Sequence, residues 1–178
     1  DEGYIVEAHV VQHEMLAQLN PDSLNTLRIW VAREAQALRV LGGFLRVGRK
    51  NVMVDNTSAG GLICTLNPED GEMRELSTGD LARHYLLCHP DTGINHSGIK
   101  VPYYEEANDL AMKALAAFPD MGLAGLDIAI APDGPIVIEI NVDNPAQIGS
   151  ACFDIPGRRL FPRLFNQTSQ LTPSKATI

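Results

Sequence analysis

Two runs of apolar-rich alternating sequence, Leu123–Ile130 and Pro135–Asn141, are separated only by Ala131-Pro132-Asp133-Gly134. A link this short, made of turn formers, requires the two runs to return antiparallel as a hairpin. With the hairpin centred on Asp133, Asp127 stands opposite Glu139 and Gly125 opposite Asn141. Side chains alternate along a strand, so these four positions share one face. Leu126, Ile128 and Ile130, with Ile136, Ile138 and Ile140, take the other face and are expected to form the core. The acidic face is thus selected by the apolar one.

Strand-like runs also precede this hairpin. Tyr4–Val11 reads as a strand, followed by a short amphipathic helical turn from Glu14 to Leu19 that Asn20-Pro21 stops. Leu27–Ala32 and Leu38–Val47 read as strands joined across Arg33–Gln36, and Gly60-Gly61 leads into a further strand at Leu62–Leu66. From Leu76 to Ser97 the pattern is weak and an irregular excursion is expected. A helix is predicted from Tyr103 to Phe118, where Ala107, Leu110, Ala111, Ala114, Leu115 and Phe118 recur at three- and four-residue steps between Pro102 and Pro119. A second helix is expected over Gly157–Phe165. A chain of 178 residues with 45% apolar side chains can bury one core. The expectation is an α+β domain, a mostly antiparallel sheet with flanking helices, spanning residues 1–166, with a frayed polar tail over 167–178.

Like charges opposite one another on a sheet destabilise it, and two carboxylates about 5 Å apart repel by roughly 3 kcal/mol at an effective dielectric near 20. A divalent cation offsets that cost. The hard oxygens of Asp127, Glu139 and the Asn141 amide suit magnesium, which shares its shell with phosphate and water. The same spacing is met by a solvated strand end in which Asp127 pairs with an arginine. Arg28, Arg46 and Arg49, placed on the two earlier strands, could supply the guanidinium forks that neutralise a triphosphate, or could pair with some of the 22 acidic residues. Asp55-Asn56-Thr57-Ser58-Ala59-Gly60-Gly61 could bring backbone N–H groups to an anion, and a tight bulge before a strand explains it equally.

A net charge of −8 disfavours a nucleic-acid partner. Cys64, Cys88 and Cys152 lack zinc-ligand spacing and suit reduced thiols. His84, Cys88, His89 and His96 are too irregularly spaced for a transition-metal site. No run approaches the length of a membrane span, and a cytoplasmic setting is expected. The chain opens on Asp1 and enters an apolar run within three residues, as expected of a piece of a longer protein.

Taken in order, Asn25-Thr26-Leu27-Arg28, Arg46 and Arg49, Asn56 with Gly60-Gly61, and Gly125-Leu126-Asp127 through Gly134-Pro135 to Glu139-Ile140-Asn141 resemble the ATP-grasp ligases. The spacing of twelve between Asp127 and Glu139 is similar to that of the glutamate-ligase branch. His89-Pro90-Asp91-Thr92-Gly93, Pro102-Tyr103-Tyr104-Glu105-Glu106-Ala107 and Asp127-Ile128-Ala129-Ile130 resemble the sugar-transfer-associated branch more closely still.

The resemblance implies the carboxyl-terminal, metal-binding subdomain of a ligase that uses ATP and Mg2+. Asp127, Glu139 and Asn141 would bind magnesium bridging the phosphates. Arg28 and Arg46 or Arg49 would hold phosphate and an acyl-phosphate intermediate formed from a small-molecule carboxylate and consumed by an amine or another nucleophile. Ile5-Val6-Glu7-Ala8 is similar to the hinge whose backbone meets adenine, which brings Glu7, Ala8 and His9 to the nucleotide and Glu14 to its ribose. Asn56, Gly60 and Gly61 would line the phosphates. Relatives sandwich ATP between two subdomains, so an N-terminal subdomain is expected as partner. The apolar face left without it is expected to pair between copies as a homodimer. Val142-Asp143-Asn144-Pro145-Ala146 stands where relatives place Pro-Gly, which bears on the acceptor site. The alternative is a noncatalytic ATP-grasp-derived binding or assembly module in a polysaccharide-producing system.

Overall fold

A computed structural model describes residues 8–34, 37–79 and 82–142. The described chain opens with a single helical turn, α1 (Glu14–Ala17), and continues as β1 (Thr26–Glu34), β2 (Ala37–Val47), β3 (Leu62–Leu66), β4 (Met73–Thr78) and β5 (Tyr85–Leu86). The helix α2 (Tyr104–Ala116) then leads to β6 (Leu123–Ala131) and β7 (Gly134–Asn141). The seven strands form one sheet in the order β5-β4-β3-β2-β1-β6-β7, with antiparallel neighbours throughout. The fold is the expected α+β. Among the described residues no helix is long and apolar enough to cross a membrane.

The first five strands are a meander, each laid beside its predecessor. The long connection comes after β5, where α2 carries the chain across the sheet so that β6 can pair with β1. Ala107, Ala111 and Leu115, one helical face at four-residue steps, are fully buried on α2. They join Leu27, Ile29, Val31, Leu45, Leu126 and Ile128 in one core, to which α1 adds Leu16. Glu105 and Glu106 in the first turn and Lys113 in the last complement the helix dipole. Arg33 on β1 ties down the end of α2 and the turn after it: Nη2 donates to Leu115 O and Phe118 O, each at 3.2 Å, and Nε donates to Met121 O.

Several expectations are corrected. Residues 8–11 of the expected N-terminal strand are without regular structure, and its first part lies outside the described residues, as do the Gly157–Phe165 helix and the 167–178 tail. The excursion expected from Leu76 hides β4 and β5. Met73–Thr78 does not alternate, because Met73, Leu76 and Ser77 are buried while Arg74 and Glu75 are exposed. In the hairpin the tip is Pro132-Asp133, with Ala131 paired to Gly134, and a bulge between Asp127 and Ile128 restores the expected register beyond it. The extra residue of that bulge is Ile138. It re-aims β7, so Val137 and Ile140 pack on the core while Ile136 and Ile138, expected inside, are 41% and 46% exposed.

Candidate functional site

On the sheet face away from α2, cross-strand register sets Arg28 on β1 opposite Asp127 on β6, and Thr26 on β1 opposite Arg46 on β2. Thr26 and Arg28 share this face because they are two apart on one strand. Arg28 grips Asp127 with both edges of its fork: Nε donates to Oδ1 and Nη2 donates to Oδ2 at 3.1 Å. Arg46 Nη2 donates to the same Asp127 Oδ2 at 2.9 Å and to Thr26 Oγ1 at 2.8 Å. It also forms an ion pair with Asp55 Oδ1 at 3.3 Å. Asp55 Oδ2 in turn accepts from the Thr26 amide at 2.9 Å and the Thr26 hydroxyl at 2.6 Å. Two guanidiniums and two carboxylates therefore form one closed cluster, with Asp127 1% and Asp55 5% exposed. Burial pushes the Asp55 carboxyl above its ordinary pKa, against the opposing pull of Arg46 and of the Thr26 hydrogen bonds.

Beside this cluster the hairpin register is as expected, Asp127 opposite Glu139 and Gly125 opposite Asn141. The Glu139 carboxylate is exposed. The Asn141 amide nitrogen is buried without a hydrogen-bond partner. Asp127 thus pairs with arginines, as the alternative reading of its spacing expected, and stands opposite the exposed Glu139. Among the described residues no three His, Cys, Asp or Glu side chains stand together as a metal site.

The glycine-rich loop after β2 is tightly wound on itself. Asn56 O accepts from the amides of Ala59 and Gly61, and Thr57 O accepts from Gly60. Gly60 has φ 86°, the left-handed conformation that glycine adopts readily. A Cβ on Gly61 would lie 2.1 Å from Asp55 O. The amides of Gly60 and Gly61 are thus spent within the loop, and the glycines serve to bring Asp55 and Asn56 under Arg46, whose Nη1 donates to Asn56 Oδ1 at 3.3 Å.

Arg49 is not drawn into this cluster. It lies beyond the end of β2, not on the strand as expected, and its guanidinium grips Asp91 through Nε at 2.6 Å and Nη2 at 3.0 Å. The Lys50 amide adds a third bond to Asp91. These bonds hold the Asp91 carboxyl well below the usual carboxylate range. The His89-Pro90-Asp91-Thr92-Gly93 motif is a clamp on the same loop: His89 Nε2 donates to Gly48 O, and Nδ1 accepts from the Asp91 and Thr92 amides. Asn25, fully buried, completes the join by donating to Gln12 Oε1, Leu16 O and Asn20 O while accepting from the Gly48 amide.

Ala8 and His9 line a cleft of about 480 Å³ together with Val10, Val11, Met53 and Ile138. Ile138 is the bulge residue next to Glu139, so this cleft adjoins the acidic end of the hairpin. Glu14 is exposed at the start of α1, and Glu7 lies outside the described residues. Sequence reasoning missed Asp55, Thr26 and Ile138. Thr26 carried a signal, since it is two residues from Arg28 on one strand. Asp55 carried only its adjacency to Asn56, and Ile138 carried none, because an unbulged strand would bury it.

Neither the search of curated proteins nor the search of solved structures finds a match. The family model for sugar-transfer associated ATP-grasp proteins matches residues 1–168, nearly the whole chain. The motifs that carried the resemblance fall on the Arg28–Asp127 face of the sheet, on the loops that brace it and at the start of α2, and the chain belongs to the sugar-transfer associated ATP-grasp family.

Proposed function

We propose that this chain is the metal- and phosphate-holding part of an ATP-dependent ligase that activates a small-molecule carboxylate for attack by an amine or another nucleophile. The observation that carries the reading is the pairing of Asp127 with Glu139 across β6 and β7 beside two buried guanidiniums. Family membership supports ATP-dependent ligase-type chemistry. Arg28 and Arg46 already offset the Asp127 charge, and a cation between Asp127 and Glu139 would bring the second, exposed carboxylate into the same balance.

The residues present fit magnesium. Glu139 offers an exposed carboxylate, and Asn141 has a buried amide with an unpaired nitrogen, so its orientation is not set by protein partners. A carboxylate has about four lone-pair sites, and Asp127 uses three, leaving one for a metal ligand. Glu139 and Asn141, with Asp127, would hold the ion. When bound, it supplies charge neutralisation and Lewis acidity to the phosphates.

The protein's own part is positioning. Arg28 and Arg46 present planar forks suited to phosphate oxygens. The cleft lined by Ala8, Val10, Val11, Met53 and Ile138 offers apolar surface against which a base could lie. An acyl phosphate formed here would be shielded by the buried cluster beneath it. No covalent nucleophile is required, because holding the carboxylate and phosphate in line supplies the main effect.

Calorimetric titration of Mg-ATP into the chain, and into a form extended upstream by the expected N-terminal subdomain, tests this. The extended form is expected to bind, and the Asp127→Asn, Glu139→Gln double variant to lose binding. A second reading, a noncatalytic assembly module, draws on the mutual neutralisation of Arg28, Arg46, Asp55 and Asp127. It takes over if the extended protein ignores nucleotide.

A further inference from the structure

We infer that Asp55 is the positioning residue for Arg46: it is the acceptor that keeps this guanidinium over the site when Asp127 turns from arginine to cation. The inference rests on the metal reading above. The acceptor site that Asp127 leaves for a cation lies beside two guanidiniums, and the positive charges repel one another. Arg28 holds Asp127 through two nitrogens and has no other acceptor among the hydrogen bonds of the described residues. Arg46 holds it through one nitrogen, Nη2, and is the more exposed of the two, at 12% of its side chain against 9%. Arg46 is therefore the partner that yields.

Its alternatives are already built. Thr26 Oγ1 accepts from Nε at 3.0 Å and Nη2 at 2.8 Å. Asp55 Oδ1 lies 3.3 Å from the same Nη2, longer than the 2.9 Å bond to Asp127. Asp55 itself cannot follow Arg46 outward. Its other oxygen is anchored by the Thr26 amide and hydroxyl, and Gly61 lies against its backbone. A carboxylate fixed behind the guanidinium sets where the fork comes to rest.

The test is nitrogen-15 NMR of the arginine Nε–H groups in the chain titrated with magnesium chloride alone. Arg28→Lys and Arg46→Lys assign the two signals. In the unmodified protein the Arg46 signal should shift with magnesium yet remain protected from hydrogen exchange, and the Arg28 signal should hold still. In Asp55→Asn, Arg46 should stay protected without magnesium and exchange at least about tenfold faster with it. Should Asp55→Asn fail to fold, carbon-13 NMR of the unmodified protein replaces it. The Asp55 carboxyl resonance should then move with magnesium as the Asp127 resonance does. Protection of Arg46 unchanged in Asp55→Asn with magnesium, protection lost before any magnesium is added, or a still Asp55 resonance beside a moving Asp127 each overturns the inference while leaving the metal reading intact. Magnesium that perturbs neither Asp127 nor Glu139 overturns the inference, and Mg-ATP that the extended protein ignores overturns the metal reading with it.

Discussion

Asp127 accepts three hydrogen bonds from two guanidiniums while only 1% exposed, so neither it nor Arg28 can lose its partner cheaply. Removing one member of a buried ion pair leaves an uncompensated charge, and Arg28→Ala should lower stability by about 3–5 kcal/mol in urea unfolding. Arg28→Met combined with Asp127→Leu should recover most of that loss, because the pair owes much of its cost to desolvation. Asp91 makes a pH-dependent contribution. Its carboxyl is held low by Arg49 and the Lys50 amide, so its contribution is present above the unfolded value of about 4 and is lost as pH falls through the folded value. Thermal melts should show the midpoint falling on acidification below about pH 4, with Asp91→Asn removing a share of that slope and lowering the midpoint at neutral pH. The pairing of Asp127 with an arginine was legible from spacing as one of two options. The role of Asp91 was not, since nothing in His89-Pro90-Asp91-Thr92-Gly93 says that its partner is forty-two residues earlier in the chain.

Among the elements, β7 shows most plainly where a pattern of residues stops being informative. Ile-Val-Ile-Glu-Ile offers apolar side chains to both faces, so only the bulge decides that Val137 and Ile140 turn inward and Ile138 outward. The site register nevertheless came out as expected, because the two-residue tip and the bulge displace it in compensating directions. Deleting Ile138 should leave Asp127 opposite Glu139 and the sheet intact by circular dichroism while removing one wall of the cleft. Any nucleotide affinity of the extended protein should then fall, with stability little changed. β4 and β5 were illegible for a different reason. A strand near a sheet edge that borrows its burial from loop residues has no period of its own. The loop after β2 is a third case, in which glycines suggestive of anion binding serve packing. Gly61→Ala places a Cβ against Asp55 O and should cost about 1–3 kcal/mol, more than Gly60→Ala, whose side faces open space and whose left-handed backbone costs about 1–2 kcal/mol.

For the whole molecule, the described strands share one sheet and one core, so unfolding should be a single event. Trp30 is the only tryptophan, fully buried at the middle of β1 on the face opposite α2. Its fluorescence and the helical circular dichroism signal should lose amplitude at the same urea concentration, and separate midpoints would divide the chain into two folding units. That the fold would be α+β and antiparallel was legible because short turn-rich links permit little else. The buried charge cluster was not, because it is assembled from four separate segments that only the sheet register brings together. The formal charges of Arg28, Arg46, Asp55 and Asp127 cancel. At distances beyond a Debye length such a balanced quartet is electrically almost silent, and the chain around it is acidic. A polyanion approaching this face is not drawn in by long-range attraction. Its encounter rate is then set by diffusion and its counterion, and selectivity arises only at contact, where the guanidiniums can be parted from their carboxylates.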